Sequence, residues 1–97
     1  MGSFTLTQKA KADMLSIGRY TREQWGAAQQ KHYLGQLDFA FHDLADKPNI
    51  GRSCNHIRKG YFKYGVGKHL IFYRSSEHDT IEIVRILHSR MDIEQHL

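Results

Sequence analysis

Apolar residues recur at spacings of three and four along the first half of the chain and at spacings of two along the second, so the sequence predicts helices followed by strands. Phe4-Thr5-Leu6 alternates and reads as a short first strand, with Thr7 placed to cap the helix that follows. Over residues 8 to 24, Ala10, Met14 and Ile17, with Tyr20 or Thr21 next, fall on one helical face. Lys9, Lys11, Asp13, Ser16 and Arg19 fall mostly on the other. Trp25-Gly26 ends or bends this helix, glycine being the residue most tolerant of a left-handed backbone at a helix end. A second helix is predicted from about 27 to 46, because Tyr33, Leu37, Ala40, Phe41 and Leu44 stand at offsets 0, 4, 7, 8 and 11. Thr21-Arg22-Glu23-Gln24 also has the form of a capping box, which would start the second helix ahead of Gly26.

Asp46 to Gly51 contains the only proline and breaks the helical pattern. Beyond it, residues 55–58, 61–66, 69–73 and 80–87 read as strands, separated by Lys59-Gly60, Gly67-Lys68 and residues 75–79. Connections this short imply hairpins and an antiparallel meander. The order β-α-α-β-β-β-β lays one apolar stripe of each helix on one sheet face, a two-layer α+β domain whose expected core stripe includes Met14, Ile17, Tyr33 and Leu37. Ninety-seven residues hold one such core, so a single domain over 1–97 is expected and a two-domain enzyme is excluded.

With 40% hydrophobic and 25% charged residues, the composition is that of a folded domain rather than a disordered tail or a rod. Charge adds a direction. Fourteen Lys+Arg against ten Asp+Glu give +4, and from Arg52 to Arg74 six bases stand without an acid. An acidic partner, whether nucleic acid or an anionic protein segment, would be steered there. The plain alternative is a solvated basic face. Cys54 is the only cysteine, which excludes an intramolecular disulfide. No export signal is read at the start, and no apolar run approaches the ~18 residues of a membrane span, so a cytoplasmic protein without a membrane partner is expected.

Candidate chemistry is sparse. Seven histidines invite a metal search, yet there is no His-Glu-x-x-His, and His32 and His42 lie about 280° apart around one helix. No metal and no cofactor are expected. Cys54 has His56 nearby but no visible orienting group for a nucleophile. Gly65-x-Gly67 lacks the following helix of a phosphate loop. Strand alternation puts Ile81, Ile83, Arg85 and Leu87 on one face and Glu82, Val84, Ile86 and His88 on the other. Arg85 then shares a face with apolar residues, where an unpaired guanidinium is very costly, so a structural ion pair with an acid of the helices is expected. His88, Arg90 and Asp92 leave the strand as a polar cluster on an exposed tail.

These residues resemble a known family. Tyr20-Thr21 with Trp25-Gly26, Leu44-Ala45 to Pro48-x-x-Gly51, His69-Leu70-Ile71-Phe72-Tyr73 and above all Ile83-Val84-Arg85-Ile86-Leu87-His88-Ser89-Arg90-Met91-Asp92 are similar to ParE toxins of the bacterial ParE/RelE toxin-antitoxin superfamily. The resemblance runs from about Leu6 to Asp92 and implies a helical hairpin packed on a small sheet. It also implies one of two activities. RelE-like members cleave mRNA on the ribosome with a basic cluster and often a C-terminal tyrosine. Here His69 occupies the first cluster position, Arg90 or Met91 the second, and the chain ends Gln95-His96-Leu97, although His69, Lys63, Arg90 and His88 offer a substitute set.

ParE-like members instead bind DNA gyrase and trap its cleavage complex without doing chemistry, and the C-terminal run favours that class. The resemblance then implies target contacts at His88, Arg90, Met91 and Asp92, with Arg58 and Lys63 in the basic stretch as further candidates and no catalytic residue. It implies two partners, gyrase and a cognate antitoxin whose acidic tail would meet the Arg52 to Arg74 stretch, with DNA engaged only indirectly through either. A degenerate member that binds its antitoxin without toxicity is the third reading.

Overall fold

The computed structural model describes residues 2–97; Met1, the first residue of the expected 1–97 domain, lies outside the described residues. Strand β1 (Ser3–Leu6) leads into α1 (Gln8–Trp25) and α2 (Ala27–Asp46), then a 3-10 turn (Pro48–Ile50), β2 (Arg52–Ser53), β3 (Tyr61–Val66), β4 (His69–Ser75), β5 (Thr80–His88) and a one-turn helix α3 (Ile93–His96). Thr7 caps α1, its hydroxyl accepting from the Ala10 N–H at 3.0 Å and donating to the Val84 carbonyl at 2.7 Å. The expected break at Gly26 is present, with φ at +92°. Thr21 does not start α2: its hydroxyl bonds back to the Ile17 carbonyl at 2.8 Å inside α1, and α2 begins at Ala27.

The sheet runs β1-β5-β4-β3-β2. Strands β2 to β5 form the antiparallel meander, and β1 joins it parallel to β5 at the edge, so the sheet is mixed. Residues 55–58, expected as a strand, form a tight turn instead. The Ile57 and Arg58 N–H groups both reach the Cys54 carbonyl, and the Asn55 side chain accepts from the Gly60 N–H at 2.7 Å. An asparagine that bonds its own loop backbone stabilises a turn over an extended chain. The strand that precedes β3 is therefore the shorter Arg52–Ser53.

The helical hairpin covers one sheet face, burying Ile17, Leu37, Phe41 and Leu44 against Ile71, Tyr73, Ile83 and Ile86. The alternation of β5 does not hold along its length. Phe72 pairs with Arg85 while Tyr73 pairs with Ile83, so Val84 is an extra residue and the strand bulges. Ile81 and Ile83 face the helices before the bulge, and Ile86 faces them after it. Leu87 turns to the other face, where it packs with Cys54 and Phe72 under the 54–60 turn and the C-terminal residues Ile93 and Leu97. That second small core is made by segments read from sequence as a strand and an exposed tail.

At the open edge of β5, α1 takes over where β1 stops. The Ile86 N–H donates to Asp13 of α1 at 3.0 Å, and Arg85 clasps the same carboxylate through Nε and Nη2 at 2.8 and 2.9 Å. Arg85 also donates to the His96 carbonyl at 3.1 Å, and Arg58 donates to the Leu97 carbonyl, which ties the C-terminal turn to the sheet. The Asp13 carboxylate holds the Arg85 guanidinium above its usual range, against the opposing effect of burial.

Candidate functional site

The bulge and the Arg85–Asp13 clasp fix the direction in which β5 exits, and so they place the residues that follow. His88 ends β5 directly opposite His69 at the start of β4, their rings 5.4 Å apart edge to face. The chain then turns tightly: Ser89 N–H donates to the Lys68 carbonyl and Met91 N–H to the His88 carbonyl, both at 2.9 Å. Arg90 and Met91 consequently stand on the rim of a cleft of about 430 Å³ between α1 and the ends of β4 and β5, with Tyr20, His69 and His88 in its wall. A second cleft of about 360 Å³ adjoins it, shares Tyr20, His69 and His88, and is closed by Trp25, Tyr33 and Lys68.

Tyr33, at the start of the α2 stripe, reaches across to the sheet. Its hydroxyl donates to the Val66 carbonyl at 3.1 Å and lies 2.6 Å from His69 Nδ1. This short contact fixes the orientation of the His69 ring against Tyr33. Burial pushes His69 below the usual imidazole range, as does the His88 ring beside it, while Asp13 pulls weakly the other way. Burial raises the Tyr33 hydroxyl, opposed by a hydrogen bond from the Lys68 backbone. His88 Nδ1 accepts the Arg90 N–H at 3.1 Å, which leaves its proton on Nε2 in the neutral ring. The outcome is a neutral, oriented imidazole at the base of the cleft and a cationic rim of Lys68 and Arg90.

The sequence candidates do not form one patch. His88, Arg90 and Met91 meet at the cleft, and Asp92 follows them as the exposed residue ahead of α3. Lys63 pairs in register with Phe72, and Arg58 bonds the C-terminal carbonyl, so both lie with the second core on the opposite face. Cys54 is fully buried there, and burial raises its thiol. Arg85 is no surface group: it is the clasp to Asp13. Tyr33, Tyr20 and Trp25 join the cleft, although helical periodicity had assigned Tyr33 to the core. Only the pairing of α2 with the β3–β4 end, 36 residues apart, reveals its second contact. Among the described residues, no group of three or more His, Cys, Asp or Glu is placed to hold a metal ion, and no helix is long and apolar enough to cross a membrane.

Comparison with known proteins places this geometry in a family. Residues 4–93 match the family model described as ParE toxin of the type II toxin-antitoxin system parDE. Toxin ParE1 of Mycobacterium tuberculosis is 40% identical over 94 residues, 97% of this chain and 96% of that one. Toxin ParE1 of Caulobacter vibrioides is 33% identical over 97 residues, covering 100% and 99%. Among solved structures, a chain of the chromosomal ParDE toxin-antitoxin system from P. aeruginosa superposes with a TM-score of 0.77 at 20% identity, over 91% of this chain and 96% of that one. A chain of the toxin-antitoxin complex RelBE2 from Mycobacterium tuberculosis gives 0.63 at 24%, over 90% and 96%, and at these identities both show the shared fold. A family match over nearly the whole length, joined to relatives of that name at 33–40% identity, means that this chain belongs to the ParE toxin family of type II toxin-antitoxin systems.

Proposed function

We propose that this ParE-type toxin binds DNA gyrase in the cytoplasm and traps its covalent cleavage complex with DNA, blocking replication by lodging in the complex rather than by chemistry of its own. The observation that carries the reading is the placement of His88, Arg90 and Met91 together on an open cleft by a rigid β5 end. Arg85, which stands in the same run, is spent on that rigidity, which leaves the residues beyond it for the target. A cognate antitoxin neutralises the toxin, its acidic segment meeting the Arg52 to Arg74 stretch with salt-sensitive association. The test is induction in growing cells with replication and translation followed separately. Replication should stop first while a toeprint of translating message stays clean; message cleavage ahead of any replication arrest would sink the gyrase reading.

A second reading rests on His69. An imidazole held below its usual range and oriented by Tyr33, beside His88 and the cationic Arg90 rim, has the parts of a general base and a charge stabiliser, as ribosome-dependent mRNA cleavage needs. It predicts message cuts that disappear in His69→Gln.

A further inference from the structure

We propose that the paired clefts between the C-terminal end of α1 and the β4–β5 end are a binding site for an unpaired nucleotide, so that the toxin touches a DNA strand directly. That the strand is the one in the gyrase complex rests on the preceding reading; the nucleotide chemistry of the clefts does not. Three observations converge. First, Trp25 and Tyr20 both line the site and are 71% and 62% exposed, so two aromatic faces stand open within one groove. Flat aromatic faces open to solvent in a groove are the platforms on which unstacked bases settle.

Second, the formal charges left unpaired at those faces are cationic. Lys68 lines one cleft beside the His69 and His88 rings, and Arg90 stands on the rim of the other. Asp13, the one acid lining either, is already clasped by Arg85 and by the Ile86 N–H, so it does not repel a phosphate with an unpaired charge. Third, the two cavities, about 430 and 360 Å³, are each within the range of small-ligand sites and share a wall, which suits successive nucleotides of one strand. An acidic peptide would use the cations and leave both aromatic faces idle. Duplex DNA, with its bases stacked inward, would do the same.

Trp25 is the only tryptophan, so intrinsic fluorescence reads the cleft without a label. Titration with a short oligo(dA) strand should quench it saturably and lose affinity steeply with salt. The matching duplex should bind about tenfold more weakly, because its bases are not free to stack. With a labelled oligo(dA) strand followed by anisotropy, Tyr20→Ala and Lys68→Ala should each weaken binding about tenfold at unchanged melting temperature. Leu15→Ala, on an exposed part of α1 away from the clefts, should not.

Absence of saturable quenching, equal affinity for the duplex, or competition by polyglutamate at the same concentration would overturn the proposal, the last by pointing to an acidic protein surface. Oligo(rA) in parallel separates the sources: tighter binding of the RNA would overturn a DNA strand as the ligand. Oligonucleotide binding by a protein that leaves gyrase untouched keeps the cleft and removes the gyrase reading. Gyrase trapping that survives Tyr20→Ala and Lys68→Ala intact keeps gyrase and overturns the contact of the clefts with its DNA.

Discussion

Replacing Asp13 by alanine removes three hydrogen bonds at once. The carboxylate accepts from Arg85 Nε, Arg85 Nη2 and the Ile86 N–H, and the side chains of the pair are 15% and 17% exposed. Removing one partner of a buried ion pair costs about 3–5 kcal/mol, since the remaining charge is stranded. Some solvent reaches this pair, so Asp13→Ala should cost about 3 kcal/mol, the low end of that range. A domain of this size has only about 5–15 kcal/mol in total, and 3 kcal/mol corresponds to a fall in Tm of about 12–24 °C.

Urea denaturation of the isolated toxin measures the loss. The double variant Asp13→Ala/Arg85→Met should recover about 2 kcal/mol relative to the sum of the single losses, because no charge is then stranded. Losses that simply add, or an Asp13→Ala loss below about 1 kcal/mol, would refute the clasp as the element that holds the end of β5.

Other consequences are local. A Cβ on Gly51 would lie 2.1 Å from the Tyr73 hydroxyl, whose ring is buried and stacked on Phe62, so Gly51→Ala should lower stability by about 1–3 kcal/mol in the same denaturation assay. Tyr73→Phe leaves the Gly51 N–H and the Pro48 carbonyl without their partner and should cost about 1–3 kcal/mol. Because His69 is held below its usual range, the unfolded chain takes up its proton first as pH falls. Stability contributed there is complete above about pH 6.5 and declines below it, and His69→Gln should flatten that part of the Tm profile between pH 7.5 and 5. His88→Ala and Arg90→Ala should lower toxicity on induction while leaving Tm and antitoxin binding nearly unchanged; an equal loss of folding would make them anchors of β5.

Much of the fold was legible because its signals are local. The α2 stripe from Leu37 to Leu44 is buried as its period predicts, and Thr7 and Gly26 punctuate α1 as their chemistry predicts. Two features broke the reading for physical reasons. The 55–58 segment alternates like a strand, but the Asn55 side chain and the Cys54 carbonyl close a turn that periodicity does not register. The Val84 bulge shifts every later side chain of β5 to the other face, so Ile86 and Leu87 exchange the places alternation gives them.

The site was legible only in part. His88, Arg90 and Met91 are adjacent in sequence, and the resemblance marked them. Tyr33 beside His69, and Asp13 beside Arg85 across 72 residues, depend on how the hairpin docks on the sheet. An acid for Arg85 followed from the cost of burying a lone guanidinium, but which helix acid it was did not. Arg58 and Lys63 share a basic stretch with Lys68, yet strand pairing sends them to the opposite face from it.

We propose that the end of β5 directs this toxin to gyrase. The most direct measurement is the yield of linear plasmid, released by detergent and protease, as purified toxin is titrated into gyrase, ATP and supercoiled DNA. Linear product should rise with wild-type protein and be strongly reduced with folded Arg90→Ala and His88→Ala. No linear product at any concentration, or equal product from the wild type and both variants, would contradict it.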